Sequence, residues 1–148
     1  MTGDFSLLDL KFVQKLTFPI SYFTEDGIPV KTTRGSKIVA LTTYPLSSAQ
    51  AVNDMAEPAI DMFNKVLQQQ FPHDSIIAHK VYEEDFIGHD GICVEGSLKS
   101  DNSKHFLGLY SQGRSAFYVM LAICNEDETE TFFRTVRKFK PTVKPTLE

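Results

Sequence analysis

The sequence predicts an α+β domain: one antiparallel sheet with two helical segments packed against it. Three observations carry this. Strand-like runs at 91–99, 104–112 and 114–124 follow one another with links of only a few residues. Two segments, 45–72 and 125–141, repeat apolar residues at helical spacing. The order along the chain is strand, strand, helix, four strands, helix. Short links require antiparallel neighbours, because parallel strands need a crossover of about a dozen residues or more.

The elements follow in order. Phe5, Leu8 and Phe12 fit a helical stripe within a short opening segment. "KLTFPISYF" is β-rich, and Pro19 makes it an edge strand or a strand ending near that proline. "TEDGIPVKTTRGS" is turn material. "KIVALTTY" is a strand with Ile38, Ala40 and Thr42 on one face and Val39, Leu41 and Thr43 on the other, so both faces should be covered. In the main helical region Ser47 and Gln50 have capping-box spacing, and Val52, Met55, Ala59, Phe63, Val66 and Leu67 share a face. Pro58 predicts a kink, or two short helices joined near Glu57.

Of the four later strands, "SIIAHKVYE" comes first. "GICVEGSLK" sets Ile92, Val94 and Leu98 against Cys93, Glu95, Ser97 and Lys99. "KHFLGLYSQ" is third. "RSAFYVMLAIC" is the most apolar and should be central. "SDNS" and "QG" read as hairpin turns. In the last helix Asn125 and Glu128 form a capping box. Glu126, Asp127 and Glu128 meet the positive end of the dipole, and Arg134, Arg137 and Lys138 the negative end. Phe132, Val136 and Phe139, widened by Phe133, form a stripe that should lie on the sheet, and Pro141 ends the helix.

The 148 residues read as a single domain, 1–148, with a core over about 16–141 and a mobile polar tail at 142–148. Twelve Phe and no Trp imply a Phe-rich core. A formal net charge of -4 is poor material for a nucleic-acid binder, which needs a basic face to neutralise phosphates. No apolar run is long enough for a membrane span. The opening residues lack the features of a secretory signal, so the chain as written reads as cytoplasmic. A truncated mature form would instead belong to the periplasm or cell envelope.

No catalytic, cofactor-binding or metal-ligating residue is assigned, and no cofactor is expected. His73, His79, His89 and His105 show no compact ligand spacing. Cys93 and Cys124 lie in apolar strands, where burial disfavours a thiolate, and the sequence leaves their pairing open. Asp90-Gly91 reads as the turn before a strand. "EED" at 83–85 reads as a solvated face. "TTRGSK" is a basic glycine turn that could hold an anion, but it lacks the phosphate-loop pattern and opens no helix.

An early "FP", a long helix, "IGHDGICVEGSLK", an aromatic hairpin, "AFYVMLAIC" and a closing "FFRTVRKFKP" occur in this order. This pattern resembles the Mog/PsbP-like group, including the DcrB-like bacterial proteins, over about residues 16–141. The matching stretches are 88–95, 117–124 and 132–141; the serine usual before the final Phe of that group is Lys138 here. The resemblance implies a twisted antiparallel sheet in an α/β/α sandwich, and no catalysis. Its members serve as an accessory subunit of photosystem II, a Ran-binding factor, envelope lipoproteins and type VI secretion chaperones. Two functional readings follow, and a third, a cell-envelope, lipoprotein-type domain of unknown role, differs from the first only in compartment. The first is a non-catalytic adaptor, a secretion-related chaperone or accessory factor with a protein partner. The second is a small-ligand carrier or enzyme built around His89, Asp90 and Glu95.

Overall fold

The structure, a computed structural model, describes residues 10–15, 20–45, 55–113 and 116–139. Seven strands form one sheet: β1 (Lys11–Lys15), β2 (Ile20–Thr24), β3 (Ile38–Pro45), β4 (Ile76–Glu83), β5 (Gly91–Leu98), β6 (Lys104–Gln112) and β7 (Ala116–Asn125). Helix α1 (Ala56–Gln68) lies between β3 and β4, and α2 (Thr129–Lys138) follows β7. The spatial order is β1-β2-β3-β7-β6-β5-β4, and every neighbouring pair is antiparallel.

β7 occupies the middle of the sheet, as its apolar run predicts. Alternation sends Phe117, Val119, Leu121 and Ile123 to one apolar cluster and Tyr118, Met120, Ala122 and Cys124 to the other. The first cluster holds the buried face of α1, Ala59, Met62, Phe63, Val66 and Leu67, at helical spacing. The second holds Phe132, Phe133, Val136 and Phe139 of α2 and its end. Two helices on opposite faces of one sheet make the α/β/α sandwich. Each fully buried Phe or Val contributes about 1.5–3 kcal/mol relative to exposure.

One contact sets the position of α1. A Cβ at Gly108 would stand 2.5–2.7 Å from the ring atoms of Phe63. The missing side chain lets that ring settle on the strand backbone, where it is fully buried. The end of α1 is tied down by Tyr22, whose hydroxyl donates to the Val66 carbonyl at 3.1 Å, and by Asn64, whose Oδ1 accepts the Ile76 N–H at 2.8 Å.

Several local expectations change. Phe12 lies in strand β1, not on a helix; Phe5 and Leu8 fall outside the described residues. The stretch read as one strand, 15–23, holds the end of β1 and most of β2, so among the described residues three strands precede α1. Pro58 sits in the first turn of α1, where its missing N–H costs no helical bond; the Ser47–Gln50 box and Val52 lie outside the described residues. Asn125 and Glu128 form the expected capping box, but the first turn, Glu126–Glu128, is 3-10. Pro141 and the tail at 142–148 also lie outside the described residues.

Candidate functional site

The residues that carry chemistry are dispersed. Cys93 and Cys124 are buried free thiols on β5 and β7, and β6 runs between them. Burial first, then Glu84 and Glu95, pushes the Cys93 thiol up; burial, then Glu128, pushes Cys124 up to about 12. Neither group is an available nucleophile at neutral pH. His79 contacts Ser97 Oγ at 3.0 Å, and the His89 ring lies nearly parallel to Tyr118 at 5.8 Å. His73 is exposed after α1. His105 pairs with Cys124 across β6 and β7. Among the described residues, no group of three or more His, Cys, Asp or Glu could hold a metal.

The turn at 86–89 departs from expectation. Ile87 and Gly88, with φ of 57° and 75°, take the left-handed conformations, while Gly91 already belongs to β5. Phe86 and His89 exchange both backbone hydrogen bonds around them. The structure also explains why "TTRGSK" is not an open anion site. The Arg34 N–H donates to Asp26 Oδ2, and the Ser36 and Lys37 N–H groups donate to Glu25 Oε1 at 2.8 and 3.0 Å. The loop wraps its own carboxylates. A Cβ at Gly35 would stand 2.9 Å from Glu25 Cβ, so the close wrap needs glycine. Thr33 first, then backbone donors, holds Asp26 down to about 2. Ser36 Oγ also donates to Glu128 Oε1 at 2.6 Å, fastening the loop to the start of α2.

The sequence reading gave Arg137 only a dipole role, yet it is a hub. Its Nη1 donates to Glu84 at 2.6 Å and its Nη2 to Glu95 at 3.3 Å. The guanidinium carbon stands 5.3 Å from the centre of the Tyr82 ring, and Tyr82 Oη donates to Glu95 at 2.8 Å. One helix side chain thus bolts α2 to β4, β5 and the loop between them. Beside it runs an open trough of about 340 Å³, lined by Glu95, Thr129, Glu130, Phe133, Arg134 and Arg137. Glu95 is therefore engaged with Arg137 and Tyr82, and His89 and Asp90 do not line the trough. A second cleft of about 300 Å³ has apolar walls from Val30, Ile38, Phe71 and Leu98, with Asp74, Asp101 and Lys104 at its polar positions.

The other distinctive surface is β4. It ends the sheet, and only Ile76 of its eight residues is buried. Ile77 and Val81 are 39% and 46% exposed, two of the three exposed large apolar side chains among the described residues. His79 is an extra residue, since Ala78 pairs with Gly96 and Lys80 with Glu95. Glu84 N–H donates to Gly91 O, and Lys99 N–H donates to Ser75 O. Antiparallel alternation then turns the N–H and C=O groups of Ile76, Ala78, Val81 and Glu83 outward, away from β5.

No family model matches this chain, and no curated protein matches it. Among solved structures it is similar to the cyanobacterial PsbP protein (CyanoP) of Synechocystis sp. PCC 6803. Identity is 15% and the TM-score 0.53, over 89% of this chain and 92% of that one. It is also similar to PA94 of Pseudomonas aeruginosa, a protein of unknown function. Identity there is 10% and the TM-score 0.45, over 87% of this chain and 92% of that one. The seven-stranded antiparallel sheet between two helices is the PsbP-like fold.

Proposed function

We propose that this chain is a non-catalytic binding domain, an adaptor or accessory factor that takes an extended segment of a protein partner along the outer edge of β4. The single observation behind this reading is the exposure of β4 at the sheet edge, with backbone groups turned outward over most of its length. Adding a strand would satisfy those groups and cover Ile77 and Val81. A chaperone for apolar helices would want a broad bare face. Here α1 and α2 cover opposite faces of the sheet, which favours an adaptor over that narrower role. The likeness to PsbP is consistent with an accessory role.

The test is a selection of displayed peptides against the folded domain, followed by amide exchange on the complexes. The reading expects selected peptides to slow exchange at Ile76, Ala78, Val81 and Glu83. Peptides that protect only other elements, or no selectable peptide at all, would sink it. A second reading, a small-ligand carrier, is favoured by the apolar-walled cleft between Val30 and Phe71. Its signature is a thermal shift with small amphipathic molecules that disappears in Phe71→Ser.

A further inference from the structure

Resting on the strand-addition reading, we infer that the segment accepted by β4 runs antiparallel to it and reads cation, any residue, apolar residue, anion. The bulge at His79 interrupts the edge, leaving Lys80 to Glu83 as the continuous run nearest the β4–β5 loop. Register across to β5 fixes where these side chains stand. Val81 and Glu83 pair with Val94 and Ile92, residues of the α1 cluster. Lys80 and Tyr82 pair with Glu95 and Cys93 on the α2 side. The charges at this edge are not spent internally. Glu95, opposite Lys80, is engaged by Arg137 and Tyr82, and among the described residues neither Lys80 nor Glu83 has an ion-pair partner.

A directly opposed residue projects from the same face of a sheet as its partner, at Cβ separations of about 4.5–5.5 Å. The residue opposite Glu83 should therefore be basic, the one opposite Val81 apolar, and the one opposite Lys80 acidic. Antiparallel addition is chosen because it continues the geometry of every pair in the sheet and is the stronger pairing per residue. The bulge and the lysine are also devices that discourage indiscriminate edge pairing, so they act as a filter in favour of a charge-matched segment.

Two capped peptides test this against the full chain by amide shift titration at millimolar concentration. One is Thr-Lys-Thr-Val-Glu-Thr, and the other exchanges its Lys and Glu. The matched peptide should shift the β4 amides and bind about five- to tenfold more tightly than the exchanged one, two cross-strand charge pairs being gained and two like pairs avoided. Lys80→Glu should erase most of that preference. Val81→Pro, which removes an outward N–H, should abolish binding of both while the rest of the spectrum stays native. Equal binding of the two peptides at β4 would overturn the charge rule and leave strand addition standing. No perturbation of β4 by either peptide would overturn the rule and count against strand addition. Concentration-dependent shifts of the same amides without peptide would assign the edge to a second copy and overturn the inference.

Discussion

β7 and β4 belong to one sheet and have opposite fates. β7 lies between β3 and β6, with a helix above each face, and every residue but Asn125 is buried. β4 lies at the rim; Ile76 is buried, Tyr82 is partly buried, and its other six residues are exposed. Both strands contain β-branched and aromatic residues, so strand propensity alone does not separate them. The difference lies in neighbours. β7 is satisfied on both edges and both faces, so a change there costs stability. β4 retains unsatisfied backbone along one edge, so a change there should cost recognition.

The largest test of this contrast is Phe63→Ala, where α1 seats on the middle of the sheet, which should destabilise the protein by about 3–5 kcal/mol in denaturant unfolding. A loss below 1 kcal/mol would mean that α1 is not seated on Gly108 as described. Arg137→Met removes the bolt between the two regions. Arg137 and its two carboxylate partners, Glu84 and Glu95, are each about one-third exposed, so the loss should be about 1–2 kcal/mol after solvent screening. The exchange of amides in the β4–β5 loop should quicken more than that of amides in β7.

A smaller, local effect concerns the loop at 25–37. The Asp26 carboxyl is held down to about 2, so the folded chain binds its proton less readily than the unfolded chain. The resulting stabilisation is present above about pH 4 and lost as pH falls toward 2. Amide shifts of Thr33 and Arg34 should follow this titration, and Asp26→Asn should remove it. If these amides move instead near pH 4, the hydroxyl of Thr33 does not hold the carboxylate. The smallest effect belongs to the edge: Lys80→Gln should change unfolding stability by less than about 0.5 kcal/mol while weakening a matched peptide. A larger stability loss would make β4 structural after all.

Much of the scaffold was legible because its signals are local. Ala59, Phe63, Val66 and Leu67 announced α1, and the 117–124 run announced the central strand. Asn125 and Glu128 announced where the last helix begins. The effect of Pro58 depends on its distance from the helix start, which its own neighbourhood does not reveal: it lies in the first turn of α1, so it does not kink that helix, and residues 46–54, where a preceding helix would join, lie outside the described residues. The segment holding Phe12 is ambiguous in the sequence, because three apolar residues in a short segment fit a helix as readily as a strand; the structure places Phe12 in β1. The candidate surface was far less visible. "SIIAHKVYE" was recognised as a strand, but nothing in those letters makes it an edge.

By itself, then, the sequence determined the kind and order of most elements, the antiparallel hairpins and the apolar stripes of both helices. These depend on residues a few positions apart, where periodicity and turn chemistry act directly. Only the tertiary structure decided that β3 closes against β7, leaving β4 at the rim. It alone joined Arg137 to Glu84 and Glu95 and turned the basic glycine loop around Glu25 and Asp26. Those contacts join residues 8 to 85 positions apart, and the chain brings them together only when two apolar faces are buried at once.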